Sequence, residues 1–201
     1  MVRKFQIDAA AYLWLALGLL VLPVGWLAAA MVAAVFHELC HYTAAGIVGI
    51  SVRSVRVGVL GCRMETDEMS ACQEILCALA GPMGSLLLIF TLNCFPRLAI
   101  CGAIQGMFNL LPVYPLDGGR VLRGLLGFLL KDSRAEKICR GVEICLMIFL
   151  LTGAVGLSLR YKLGVFPMIF AMILCTRVFR PKNSLQTGAS RGTIDLPFLK
   201  R

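Results

Sequence analysis

The amino-acid sequence predicts an all-α polytopic membrane protein with about six transmembrane helices and a short β-hairpin or re-entrant strand between the second and third. Of its 201 residues, 59% are hydrophobic and only 15% are charged, whereas soluble domains carry about 25% charged residues. The mean hydropathy is +0.83. Long apolar runs recur along the chain, most of them long enough to cross roughly 30 Å of hydrocarbon as a helix.

The expected membrane spans are six apolar stretches, at about residues 7–22, 23–49, 72–93, 98–117, 139–158 and 163–179. Six spans put both termini on one side, so the basic residues test the count. With cytoplasmic termini, only Arg97, Arg160 and Lys162 of the 20 lysines and arginines face outward. This topology in the cell membrane accounts for the net charge of +9, and we expect the lipid bilayer, not nucleic acid, as the partner of the basic residues.

The end of the fourth span is the ambiguous part of this topology. Apolar sequence continues through residues 121–130, but a seventh span there would include arginine and would place the basic tail outside. We expect instead that the fourth helix breaks near Pro112 and Pro115, and that an interfacial helix follows and ends at Lys131.

Between the second and third spans lies a valine-rich segment, Ser51 to Val59, whose composition favours a β-strand. Its edge is a candidate surface for pairing with an unwound substrate. The domain organisation that we expect is a single membrane domain over residues 1–180, followed by a short, flexible cytoplasmic tail over residues 181–201.

The two histidines of the chain flank a glutamate in the pentapeptide His37-Glu38-Leu39-Cys40-His41. On a helix, residues four apart lie on one face, so both imidazoles can reach one metal ion while Glu38 points towards its water. Two neutral nitrogen ligands suit zinc. A hydrogen-bonding cluster between helices is the alternative, but His37 would lie roughly 20 Å inside the membrane from Ile50, and polar groups at that depth are costly.

A catalytic zinc usually has three protein ligands, so a third must lie elsewhere. The acidic candidates at membrane depth are Asp117 and Glu143. Glu143 lies beside Lys137 and Arg140, where a local ion pair explains it. Asp117 lies in the segment 109–120, NLLPVYPLDGGR, whose prolines and glycines prevent a regular helix. Irregular backbone at membrane depth is tolerated where it lines a cavity. The alternative is an interfacial turn with a capping aspartate, which would have a similar sequence.

These two motifs together resemble the site-2 protease family of intramembrane metalloproteases, and the chain is most similar to the compact type represented by the stage IV sporulation protein FB. The resemblance implies one zinc ion held by His37, His41 and Asp117, with Glu38 as the catalytic base and Asn109 stabilising the oxyanion. The sequence around Gly81 and Pro82 is similar to a further motif of the family, but Ser85 stands where asparagine is common.

The resulting expectation is a zinc metalloendopeptidase that cleaves membrane-anchored proteins near the cytoplasmic side. The resemblance implies a membrane-tethered transcription-factor precursor as substrate, but an anti-sigma factor or a signal-peptide remnant would present the same chemistry. We also expect a membrane regulatory partner. Two alternative functions remain. One is another membrane HExxH peptidase, which would use a distant glutamate as third ligand, and the other is an inactive membrane scaffold or metal carrier. A carrier would not require Glu38.

Overall fold

The structure, a computed structural model, describes residues 4–7, 16, 18–20, 22–58, 61–67, 69–114, 116–130 and 132–161. It divides into two compact units, Met1–Leu146 and Met147–Arg201. The strands are β1 (Lys4–Ile7), β2 (Val52–Gly58) and β3 (Gly61–Thr66), and the helices are α1 (Val24–Ile47), α2 (Ala71–Leu87), α3 (Pro96–Asn109), α4 (Asp117–Leu129) and α5 (Asp132–Tyr161). A short 3-10 helix, Leu88–Thr91, extends α2.

Helices α1, α2 and α3 pack against one another, and α4 packs against α2. Many of the buried positions on these helices carry small side chains, among them Ala33, Ala45, Ala78, Gly84, Ala99 and Gly102. Small residues let helix backbones approach closely, which is how helices associate where lipid supplies no hydrophobic driving force between them. Small side chains at these positions therefore let α1, α2 and α3 pack closely.

Helix α2 begins with a capping box that also fixes its start against the end of α1. The Ser70 hydroxyl accepts a hydrogen bond from the Gln73 backbone N–H, and the Gln73 side chain accepts one from the Ser70 N–H at 2.9 Å. The Gln73 amide also donates to the carbonyl oxygen of Val48 at 3.1 Å. Because the cap satisfies backbone groups of α2 and the amide reaches the end of α1, the two helices are held in a fixed register.

Three described helices are long and apolar enough to cross a membrane: Val24–Ile47, Ala71–Thr91 and Ser133–Gly156. They correspond to the second, third and fifth expected spans. The helix at the fourth expected span, 98–117, is shorter than predicted. It is α3, which has 14 residues and would extend roughly 21 Å. Most of the first expected span, the whole sixth span and the tail from 181 lie outside the described residues.

The strands form one three-stranded sheet in the order β1-β2-β3. Strand β2 pairs in parallel with β1 and antiparallel with β3. The expectation that β2 offers a free edge to a substrate is therefore wrong, since both of its edges are occupied. Strand β1 differs from the predicted topology, in which the first span begins at Ile7. Polar and apolar residues alternate from Lys4 to Ile7, which is the period of a strand.

The expected break after the fourth span is present. Helix α3 ends at Asn109, and the chain continues as turns and bends until α4 begins at Asp117. Helix α4 ends at Leu129, close to the expected end at Lys131, which lies outside the described residues. The irregular backbone between α3 and α4 thus brings Asp117 to the first turn of a helix.

Candidate metal centre

The two histidines of α1 present their Nε2 atoms to the same point. His37 and His41 lie one turn apart on the face of α1 that meets α2, and their Nε2 atoms are 3.1 Å apart. Each Nδ1 atom bonds to α2: that of His37 lies 2.9 Å from the Ser85 hydroxyl, and that of His41 lies 2.7 Å from the Cys77 carbonyl oxygen. The periodicity of α1 brings the pair together, and α2 orients both rings.

Asp117 completes a three-residue cluster with the histidines. Its Oδ2 atom lies 3.2 Å from His37 Nε2 and 3.1 Å from His41 Nε2. All three groups are largely shielded, since His37 is 3% and Asp117 is 9% exposed and the His41 side chain is 12% exposed. One ligand atom from each residue lies within 4.8 Å of the others, so the three could hold a metal ion.

The donor set and its spacing fit zinc. Zinc binds imidazole nitrogen and carboxylate oxygen at about 2.0–2.2 Å in tetrahedral geometry, which places neighbouring ligand atoms roughly 3.3 Å apart. The observed separations of 3.1 to 3.2 Å are close to that value. The Cys77 carbonyl can only accept a hydrogen bond, so His41 carries its proton on Nδ1 and its Nε2 lone pair is free to bind a metal.

Asp117 reaches the histidines because the chain before α4 folds back on itself. In this segment the Val113 N–H donates to the Leu111 carbonyl at 2.7 Å, and the Leu116 N–H donates to the Val113 carbonyl at 2.8 Å. Gly118 then lies directly against the backbone of Leu110, where a β-carbon would overlap the carbonyl group. A glycine after Asp117 is therefore a requirement of this close approach.

Helix α5 supports the same segment through Glu143, the other acidic residue at membrane depth. Glu143 is not part of the cluster formed by the two histidines and Asp117. The structure gives Glu143 a contact with the aspartate segment: its Oε1 accepts a hydrogen bond from the Tyr114 backbone N–H at 3.1 Å. The Tyr114 ring in turn lies 4.6 Å from the Arg123 guanidinium carbon, a cation–π contact.

Arg120 connects Asp117 to another acidic residue, Glu74. Arg120 Nη1 is 4.0 Å from Asp117 Oδ1, and Arg120 Nε is 3.5 Å from Glu74 Oε1. The roles of Arg120, Glu74 and Tyr114 were not foreseen from the sequence. Their spacings along the chain carry no signal of contact, since Glu74 and Arg120 are 46 residues apart.

Of the two expected catalytic residues, Glu38 is the neighbour of a ligand in sequence, and Asn109 lies near the cluster in space. Glu38 follows His37 on α1 and is half-buried. Asn109, the last residue of α3, places its side-chain amide 3.4 Å from His37 Nε2. All five residues singled out by the sequence motifs are therefore either in the cluster or next to one of its members.

Comparisons with known proteins found a family model and relatives that match parts of this chain. The model of peptidase family M50 matches residues 84–150, which include Asn109 and Asp117. A zinc metalloprotease of Methanocaldococcus jannaschii is 29% identical over 136 residues, covering 59% of this chain and 40% of that protein. A protein of Synechocystis that carries the provisional name of a zinc metalloprotease is 33% identical over 108 residues, covering 46% of this chain and 28% of its own length.

The fold is shared with a solved structure. The site-2 protease from Methanocaldococcus jannaschii superposes with a TM-score of 0.64 at 20% identity, covering 90% of this chain and 94% of that chain. By contrast, the alignments to the two curated relatives span less than half of their lengths. The chain is therefore similar in part of its sequence to peptidase family M50 and to two zinc metalloproteases, and it shares the fold of a solved site-2 protease.

Proposed function

We propose that this protein is a zinc-dependent intramembrane endopeptidase that cleaves membrane-anchored proteins near the cytoplasmic side of the cell membrane. The observation that carries the proposal is the convergence of the His37, His41 and Asp117 ligand atoms within 4.8 Å of one another, although His41 and Asp117 are 76 residues apart in sequence. In this proposal the three residues hold one zinc ion per chain. The family-model match and the zinc metalloprotease relatives support it.

The proposed reaction is hydrolysis of a peptide bond. A bound zinc ion supplies Lewis acidity, which polarises a carbonyl group and lowers the pKa of water. Glu38 takes the proton from the attacking water and delivers it to the leaving amine. Asn109, whose amide lies 3.4 Å from His37 Nε2, donates an N–H to the developing oxyanion.

The position of the cluster determines which substrates it can take. His37 lies within the 24-residue apolar helix α1, roughly 20 Å from Ile50 at the end that we place in the cytoplasm. A substrate must therefore reach the site inside the membrane, and it must unwind locally because a helix hides each peptide group in its own hydrogen bonds. Membrane-anchored proteins satisfy the first requirement.

A conservative substitution of the proposed base tests the activity. Wild type and Glu38→Gln are co-expressed with a panel of epitope-tagged, membrane-anchored candidate substrates, and cleavage is followed by immunoblotting. Glu38→Gln should retain zinc and lose cleavage by at least about 100-fold, the effect typical of removing a general base. Glu136→Gln on α5 is the matched control, because it makes the same chemical change at an exposed position. Equal cleavage by wild type and Glu38→Gln would refute the protease assignment.

Two rival functions are separated by metal binding. Another membrane HExxH peptidase would take its third ligand from a distant glutamate, so Asp117→Ala would keep its zinc. The present proposal expects Asp117→Ala to lose zinc, measured as metal content after purification in detergent. The Asp117 contacts of 3.1 and 3.2 Å to the two histidines favour this outcome. An inactive scaffold or metal carrier would bind zinc without cleaving any member of the substrate panel.

The substrate class, the branch of the family and the topology complete the proposal. The sequence resemblance to the compact sporulation type supports a transcription-factor precursor as substrate, with an anti-sigma factor as the alternative, and a membrane regulatory partner. The distribution of basic residues supports about six spans with both termini in the cytoplasm. Reporter fusions at the two ends of the chain test the topology: an external signal from either end would contradict it.

A further inference from the structure

The interaction between Ser85 and His37 is the most buried polar contact of the site. Ser85 is 0% exposed and His37 is 3% exposed, and the Ser85 hydroxyl oxygen lies 2.9 Å from His37 Nδ1. Ser85 lies on α2, 48 residues further along the chain. A buried hydroxyl at this distance forms a hydrogen bond whose loss would leave His37 Nδ1 without that partner.

The direction of this hydrogen bond follows from the geometry on the other side of the ring. His37 Nε2 faces His41 Nε2 and Asp117 Oδ2 at 3.1 and 3.2 Å, so Nε2 must offer its lone pair when a metal is held there. A neutral imidazole carries one N–H. The proton of His37 therefore lies on Nδ1, and the Ser85 oxygen accepts it.

The two histidines differ in what fixes their orientation. His41 donates to the Cys77 backbone carbonyl at 2.7 Å, a group that is present whatever side chain occupies position 77. His37 depends on a side chain that a single substitution can remove. Both partners lie on α2, so the packing of one helix sets the orientation of both rings, but only Ser85 can be tested by deleting an atom.

We propose that Ser85 is a positioning residue that holds the His37 imidazole with Nε2 towards the metal and so raises the zinc affinity of the site. The inference rests on the proposed function, because it concerns the same zinc ion. Groups that orient metal-binding histidines typically contribute 10–100-fold to metal affinity or activity.

The test is a zinc titration of the full-length protein in detergent, with a chromophoric chelator as competitor. We expect Ser85→Ala to weaken zinc binding by about 10–100-fold. Thr91→Val is the matched control: it removes a hydroxyl from the 3-10 helix that extends α2, where that hydroxyl donates to the Leu88 carbonyl at 2.7 Å. Its zinc affinity should equal that of wild type.

Thermal unfolding of the zinc-free proteins separates positioning from a general structural role. A structural role alone would lower the Tm of zinc-free Ser85→Ala and leave its zinc affinity unchanged, which would overturn the inference. If Ser85→Ala does not fold, Ser85→Cys keeps nearly the same volume with a weaker acceptor, and wild-type zinc affinity in folded Ser85→Cys would also overturn it. Failure of the proposed protease function would be seen separately, as equal substrate cleavage by wild type and Glu38→Gln.

Discussion

The two regions that supply the metal ligands are built in opposite ways. His37 and His41 lie on α1, a regular helix of 24 residues, where a separation of four residues is enough to place both rings on one face. Asp117 follows an irregular segment between α3 and α4, and its position depends on contacts made by many backbone groups. One half of the site is set by helical periodicity and the other by the packing of a folded-back chain.

This difference predicts unequal sensitivity to backbone changes. A helix that is shifted slightly still presents residues four apart on one face. A folded-back segment has no such repeat, so a displacement of its backbone moves Asp117 away from the histidines directly. Substitutions that prevent close packing of the backbone should therefore disturb the position of Asp117 more than the positions of His37 and His41.

The largest effect is expected for Gly118→Ala. A β-carbon at this position would overlap the Leu110 backbone, and backbone cannot move aside as the end of a side chain can. Asp117 should shift, and displacement of a catalytic group by about 1 Å can cost 100-fold in activity. We expect zinc content to fall towards that of Asp117→Ala. Gly127→Ala, on the same helix with open space around it, should keep wild-type zinc and activity; equal behaviour of the two variants would contradict the comparison.

A smaller effect is expected for Gly81→Ala, which tests the histidine half. A β-carbon there would overlap the His41 ring, so either α1 and α2 separate or the ring leaves its place and loses the bond to the Cys77 carbonyl. Zinc affinity should fall by about 10–100-fold, measured by chelator competition. Gly46→Ala on α1 has open space around it and serves as control. A loss greater than that of Gly118→Ala would reverse the ranking.

The same contrast explains how much the sequence predicts. The His37–His41 pair follows from spacing alone, and helices α1, α2 and α5 follow from long apolar runs. The break after Asn109 follows from Pro112 and its neighbours, because proline removes a backbone donor and restricts the residue before it. These are local properties, and the structure agrees with each of them.

The remaining features depend on contacts between distant parts of the chain. The pairing of β1 with β2 brings Lys4 beside Ser54, and no local pattern records that partner. The hydrogen bond between His37 and Ser85 is likewise not indicated by any spacing in the sequence, where Ser85 is only a departure from a family motif. Its signal was a polar side chain among small residues of an apolar helix, which calls for a partner when buried.

The smallest of the three effects is expected at Glu143, which supports the folded-back segment from α5. Glu143→Ala removes the acceptor of the Tyr114 N–H, and a hydrogen bond to a charged group contributes about 1.5–3 kcal/mol. Part of this loss should be recovered by water, so we expect a several-fold decrease in activity and a lower Tm. Glu143→Gln keeps an oxygen acceptor and is the matched control. If the two variants lose activity equally, the charge of Glu143 matters rather than its bond to Tyr114, and its role as an anchor of the aspartate segment is wrong.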